Sequence, residues 1–126
     1  MKNLYLLLLT FLTANIALSQ VEPIGTARLK ANGTTVTVTG IVTNDALFDN
    51  RNRTRCFQDA TGGLNIFAQN SPSAPALQAL KPGDSIVVTG VLSEFNNLKQ
   101  LIEPLNIQVV ASNRPLPAPI LVSFSD

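Results

Sequence analysis

The sequence predicts an all-β protein wound into a small closed barrel, on three observations. Two stretches, Thr35-Val36-Thr37-Val38-Thr39-Gly40-Ile41-Val42 and Ser85-Ile86-Val87-Val88-Thr89-Gly90-Val91-Leu92, are near copies of each other. Both are crowded with β-branched residues, whose stiff χ1 costs little on a pleated strand. Each also carries one glycine, Gly40 or Gly90, where a long strand can bend or bulge and so serve both halves of a barrel. Between the copies, the run from Phe57 to Phe67 reads as strand, tight turn, strand.

The elements follow in order. Met1-Lys2-Asn3 is a short positive start, Leu4 to Leu12 an apolar run, and Ala17-Leu18-Ser19 the small-residue pattern that a signal peptidase accepts. Residues 1–19 are therefore expected to be a signal peptide cleaved after Ser19, and the product to be secreted, periplasmic or on the cell surface. The apolar run falls short of the roughly 20 residues that a spanning helix needs, so no stable membrane insertion is expected after cleavage. Residues 20–33 form a lead-in that ends in the turn signal Asn32-Gly33. The first strand is expected over 34–43, followed by a polar, irregular stretch over 44–52 in which Leu47 and Phe48 stand out. The second strand covers 53–58. Asp59-Ala60-Thr61-Gly62-Gly63 closes a hairpin, its glycines Gly62 and Gly63 free to take positive φ, and the third strand covers 64–69. After a loop over 71–75, residues 76–80 are the one expected helical turn, started behind Pro75, stopped before Pro82, with Leu77 and Leu80 on one face. The fourth strand takes 84–94, Asn96-Asn97 turns the chain, and the fifth takes 98–103, with 106–110 continuing it past Pro104.

Three strands, a short helix and two strands is the order of the OB-fold. That fold is a five-stranded Greek-key barrel whose second and third strands, with the one-two and four-five loops, carry ligands. The barrel domain is expected over 34–112. An immunoglobulin-like sandwich would want about seven short strands and usually a core tryptophan, and the chain has no tryptophan. Beyond the barrel, Pro115, Pro117 and Pro119 alternate, which favours an extended, semi-rigid linker over residues 113–126. Ile120 to Phe124 is too apolar for a solvated tail. Two readings stand beside each other: it begins a further segment of a longer protein, or it folds back on the barrel as an added strand.

Composition narrows the function. With no histidine, a serine or cysteine nucleophile lacks its usual base, and with one cysteine a zinc site lacks ligands. Cys56 cannot form an internal disulfide and is expected to be a small buried hydrophobe. Asp45 and Asp49 in the one-two loop, and Glu94 and Glu103 beside the four-five hairpin, are expected to be turn formers rather than catalytic pairs. Asp49-Asn50-Arg51-Asn52 offers oxygens to calcium but lacks the acidic density of a calcium loop. No cofactor and no metal are implied. Without Lys2 the positive and negative side chains balance, so long-range attraction to polyanions is weak.

The run Gln58-Asp59-Ala60-Thr61-Gly62-Gly63-Leu64-Asn65-Ile66-Phe67, with Leu80-Lys81-Pro82-Gly83-Asp84-Ser85 into the fourth strand and Glu94-Phe95-Asn96-Asn97-Leu98, resembles the OB-fold domains attached to secreted bacterial nucleases and phosphatases and to large exported multidomain proteins. The likeness covers about residues 34–119. It implies a non-catalytic module, since in such proteins catalysis belongs to a separate domain of a longer polypeptide. Cys56-Phe57 stands where relatives usually carry an aromatic or aliphatic pair.

The binding candidates follow from alternation. Arg51, Arg53 and Arg55 fall on one side of an extended chain and could track phosphates or a carboxylate ligand. The same parity reaches Phe57, which belongs inside the barrel, so the row must leave at the barrel mouth or break at a bulge. On the third strand Leu64 and Ile66 take one face, leaving Asn65, Phe67 and Gln69 on the ligand face. Phe67 and, at the four-five turn, Phe95 are candidate stacking platforms. The expected partners are single-stranded nucleic acid or an oligosaccharide. The competing expectation is a ligand-free spacer, with the phenylalanines packed under loops and the arginines guarding an edge.

Overall fold

A computed structural model describes residues 20–48, 51–119 and 121. The expected leader over 1–19, the Asp49-Asn50 part of the calcium-like loop, and all but Leu121 of the apolar ending lie outside the described residues. Among the described residues there are six strands: β1 (Val21–Glu22), β2 (Thr35–Val42), β3 (Thr54–Gln58), β4 (Gly63–Phe67), β5 (Ser85–Phe95) and β6 (Leu98–Ala111). Two short helices, α1 (Ile24–Ala27) and α2 (Ala74–Ala79), accompany them, and Ala46–Phe48 forms a single 3-10 turn. No described helix is long and apolar enough to cross a membrane.

The sheet runs β1-β2-β3-β4-β6-β5 and closes because β2 also pairs with β5. Strands β2 to β6 are thus the five expected ones, in the OB-fold arrangement, with α2 between the third and the fourth. Closure requires β2 to change partners. It pairs antiparallel with β5 from Thr35 to Ile41 and with β3 at Ile41 and Val42. At the change, Gly40 meets β3 so closely that a Cβ there would lie 2.8 Å from the Gln58 carbonyl oxygen and 2.9 Å from the Phe57 ring. Gly90 faces the other irregularity: the β5–β6 register shifts between Thr89 and Val91, where Glu103, Pro104 and Leu105 bulge out of β6. A proline lacks the N–H of a ladder bond, and the bulge is where a strand tolerates one. The fifth strand therefore runs on through Pro104 to Ala111, in line with the expected continuation over 106–110. Asn96 and Asn97, both at positive φ, close the β5–β6 hairpin as a two-residue turn of the primed type.

Strand alternation places Val36, Val38 and Val42, Phe57, Leu64 and Ile66, Ile86, Val88 and Leu92, and Leu101 in one core. Helix α2 begins two residues earlier than expected, at Ala74. It still turns Leu77 and Leu80 inward.

The lead-in is where structure and expectation part. Val21–Glu22 adds a parallel strand to β2, and α1 inserts Ile24 and Ala27, both fully buried, into the core. A four-residue helix has no periodicity to read, and what stabilises it is tertiary. The Asp59 Oδ2 accepts the Ile24 N–H at 2.9 Å, and the Thr61 hydroxyl accepts the Gly25 N–H at 2.8 Å. The β3–β4 turn is itself held by Asp59 Oδ1, which accepts the N–H groups of Thr61 and Gly62. Gly62 and Gly63 are accordingly not at positive φ; among the described glycines that conformation belongs to Gly33 and Gly83. The proline-rich segment is tied to the barrel at two points, by the Arg114 N–H on the Gly83 carbonyl (2.9 Å) and by Gln58 Nε2 on the Ala118 carbonyl (3.2 Å).

Candidate functional site

The outer face of β3, β4 and β6 is built in cross-strand rows. Thr54 pairs with Phe67 and Phe67 with Ile102; Cys56 pairs with Asn65, Asn65 with Gln100 and Gln100 with Ser93; Leu98 pairs with Phe95 at the hairpin end. Because side chains alternate along a strand, the inward set Phe57, Leu64, Ile66 and Leu101 obliges these neighbours to face out. Thr54, Cys56, Asn65, Phe67, Phe95, Leu98 and Gln100 of these rows line a groove in two lobes that share Asn65 and Leu98. One lobe, of about 470 Å³, lies among Arg53, Phe67, Phe95 and Gln100. The other, of about 430 Å³, lies among Arg28, Thr43, Cys56, Gln58 and Lys99. No described carboxylate lines either lobe.

Of the six candidate residues, the groove brings together three. Phe67 stands on its floor, and Phe95, 64% exposed, on its rim. The Arg53 guanidinium lies over the Phe67 ring, 5.4 Å from the centroid, a cation–π arrangement that leaves the ring beside a fixed positive charge. Gln69 is a supporting residue: its Oε1 accepts from Arg53 Nη1 at 2.6 Å. Arg51 is exposed in the turn before β3 and lines neither lobe.

Arg55 corrects the expected arginine row. It is wholly buried, with the inward parity of Phe57, and donates from Nε to the Leu80 carbonyl (3.2 Å), from Nη2 to that of Gln78 (3.0 Å) and from Nη1 to that of Thr54 (2.9 Å). The row breaks because β3 begins at Thr54, so Arg53 precedes the regular alternation. Cys56 corrects a second expectation: it is only half-buried, on the groove side. Its thiol donates to Asn65 Oδ1 at 3.3 Å, and burial pushes its pKa up, so it stays a protonated donor at neutral pH.

Two of the carboxylates considered for chemistry, Asp45 and Glu103, hold backbone instead. Asp45 accepts the Leu47 N–H. Glu103, itself at positive φ, accepts the N–H groups of Gln69, Asn70 and Ser71. Burial alone would raise its pKa; those bonds outweigh it and hold the carboxyl below the usual range. Among the described residues, no three acidic or cysteine side chains gather in a way that could hold a metal ion.

Sequence reasoning missed Arg28, Lys99, Leu98, Gln100 and the role of Asn65. Leu98 and Gln100 were within reach, since both oppose the parity of Leu101. Arg28 was not. It arrives because the Asp59 clasp seats α1, from whose end Arg28 Nη1 donates to the Gly63 carbonyl at 2.9 Å. Lys99 is held at the barrel mouth by the Lys30 carbonyl and Asn32 Oδ1.

No family model matches the chain. It is 37% identical over 86 residues to endonuclease YhcR of Bacillus subtilis (strain 168), a match that spans 67% of this chain and 7% of that protein. Among solved structures it is similar to the OB domain of MM0293 from Methanosarcina mazei, with a TM-score of 0.55 and 17% identity, covering 77% of this chain and 87% of that one. It is also similar to a murine DNA-binding protein bound with double-stranded DNA, with a TM-score of 0.54 and 18% identity, covering 72% of this chain and 48% of that one. The barrel is an OB-fold. The chain spans only a small part of the nuclease it matches.

Proposed function

We propose that this chain is a non-catalytic binding module, exported by way of its leader, that holds single-stranded nucleic acid for a catalytic partner. One observation carries the reading: Phe67 and Phe95 share a groove with Arg28, Arg53 and Lys99, and no described carboxylate opposes them. Aromatic faces accept any base by stacking, and cations beside them take the phosphates. A nuclease-named relative and a structural neighbour bound to DNA support nucleic acid as the polymer. An open face with its bases splayed suits a single strand better than a duplex, whose bases are stacked inside.

The test is fluorescence anisotropy of labelled single-stranded DNA and RNA at low salt, with an oligosaccharide panel alongside. Phe67→Ala is expected to weaken binding about ten-fold, within the roughly 1–3 kcal/mol that base–aromatic stacking supplies. Arg53→Ala is expected to weaken it too, by removing a phosphate contact and the cation over the ring. Absence of nucleic-acid binding at low salt would overturn the proposal in favour of a spacer, or, if a sugar binds, of a glycan module.

A further inference from the structure

The two lobes of the groove offer a nucleotide different things. The exposed rings of Phe67 and Phe95 belong to one lobe, while Arg28 and Lys99 belong to the other. In that second lobe Phe57 turns its ring into the core, so a base has no exposed face to stack on. The two cations there are fixed by neutral groups. Arg28 Nη1 donates to the Gly63 carbonyl at 2.9 Å, and Lys99 Nζ donates to the Lys30 carbonyl and to Asn32 Oδ1, both at 2.8 Å. Among the described residues neither makes a salt bridge, and Glu94, opposite Lys99 across the β5–β6 hairpin, is exposed and lines neither lobe. Continuing the β4–β6 register of Asn65 with Gln100 by two residues sets Gly63 level with Leu98, the neighbour of Lys99. Both positive charges thus stand at one end of the lobe, and each side chain keeps N–H donors for a ligand.

That end of the groove is closed by the chain itself. From Arg53 and Phe67 the groove follows β3 and β4 to Gln58 and Gly63, where the β3–β4 turn begins. Beyond that point Asp59 and Thr61 hold α1 by the N–H groups of Ile24 and Gly25, and Gln58 Nε2 holds the Ala118 carbonyl of the proline-rich segment. A strand that enters over the phenylalanines meets these two segments and ends against Arg28 and Lys99. Strand ends differ from interiors in charge: an internal phosphodiester carries a single negative charge, a terminal monoester about −1.5 to −2 at neutral pH. The extra charge gains most beside cations that no carboxylate has neutralised. We propose that the lobe of Arg28 and Lys99 is a phosphomonoester site, which takes the phosphorylated end of a single strand whose bases lie in the aromatic lobe. The inference rests on the reading of the groove as a nucleic-acid site.

The experiment is a calorimetric titration of the full chain, at fixed low salt, with unlabelled (dT)12 carrying a 5′-phosphate, a 3′-phosphate or hydroxyls at both ends. One phosphorylated form is expected to bind at least about ten-fold tighter than the hydroxyl-ended form, the scale of one charge-assisted hydrogen bond; which form it is gives the polarity of the strand. A covalently closed oligothymidine circle, which has no end, is expected to bind no tighter than the hydroxyl-ended strand. Arg28→Gln and Lys99→Met are each expected to remove most of the advantage of the phosphorylated end, whereas Arg53→Ala, in the aromatic lobe, is expected to weaken all forms alike. Thermal melts identify a variant that has lost the fold, and the two cation variants read independently, so either carries the test without the other. Equal affinity for phosphorylated and hydroxyl-ended strands, or for the circle and the phosphorylated strand, would overturn the end site while leaving the groove reading intact. An advantage that persists in both cation variants, or that Arg53→Ala removes as fully as they do, would overturn the assignment to this lobe. Thymidine monophosphate competing as strongly as the phosphorylated strand would make the ligand a free nucleotide and overturn the strand end. Failure of every oligonucleotide to bind the wild type would overturn the groove reading itself, and the inference with it.

Discussion

A guanidinium with no exposed surface has to place its donors, and Arg55 places them on the carbonyls that α2 leaves open at its end. The last carbonyls of a helix have no partner within it, and an arginine supplies several donors in a fixed fork. The positive group also faces the negative end of the helix. Arg55 thus seals one end of the barrel and fastens the segment between β4 and β5 to β3. Replacing it with methionine keeps much of the volume but strands the Gln78 and Leu80 carbonyls in the interior. Each such loss costs about 1–3 kcal/mol, so Arg55→Met is expected to lower unfolding stability by about 3 kcal/mol in a denaturant titration. An unchanged midpoint would show that the carbonyls find water. Arg53, two residues earlier, is only half-buried at the groove, and its truncation is expected to be felt in binding more than in stability. Two arginines of one apparent row thus separate by role, and Phe57, sharing the parity of Arg55, was the clue that the nearer one turns in.

Among the elements, the strands were legible because their signal is local: β-branched alternation, a glycine at each bend and Asn-Asn at the hairpin all act within a few residues of themselves. The ligand face of β4 followed from the same alternation, which put Phe67 opposite Leu64 and Ile66. What could not be read were β1 and α1, both too short for any periodicity, the first held by its pairing to β2 and the second by residues more than thirty positions away. One of the groove's three cations, Arg28, was lost with them. The Gln-Asp-Ala-Thr-Gly-Gly run was noticed for its resemblance and its turn, while its physical task is to clasp α1. Asp59 bears that task through four bonds, to Ile24, Gly62 and, twice, Thr61. Burial would raise its pKa, but these bonds prevail and hold it below the ordinary value of 3.8. A carboxyl lowered in the folded state contributes stability in full above its unfolded pKa and loses it as pH falls through the folded one. Asp59→Asn is therefore expected to be less stable than the wild type by about 1–2 kcal/mol at neutral pH, in the range of a lost charged cap. The gap should narrow as the pH drops below about 4. Parallel thermal melts from neutral to strongly acidic pH would show this, and a gap independent of pH would mean that the carboxylate's charge is not what holds α1.

For the whole molecule, balanced charge and a positive groove make opposite demands on a polyanion. A protein with little net charge gains almost nothing from long-range attraction, so its hold on phosphates reduces to the cations that touch them. The groove offers three, Arg28, Arg53 and Lys99. Each phosphate neutralised on a single strand contributes about −0.7 to the slope of log affinity against log salt, so a slope of about −2 is expected. Raising salt from about 50 to about 200 mM should then weaken binding of a single-stranded oligonucleotide about 20-fold. Removing Lys99 by Lys99→Met should flatten the slope by about 0.7, while Phe67→Ala should shift the whole line downwards without changing its gradient, because stacking releases no counterions. A slope of −4 or steeper would place phosphates on surfaces other than this groove. A slope near zero in the wild type would mean that stacking and the polar row bind the chain's partner with no phosphate contact at all.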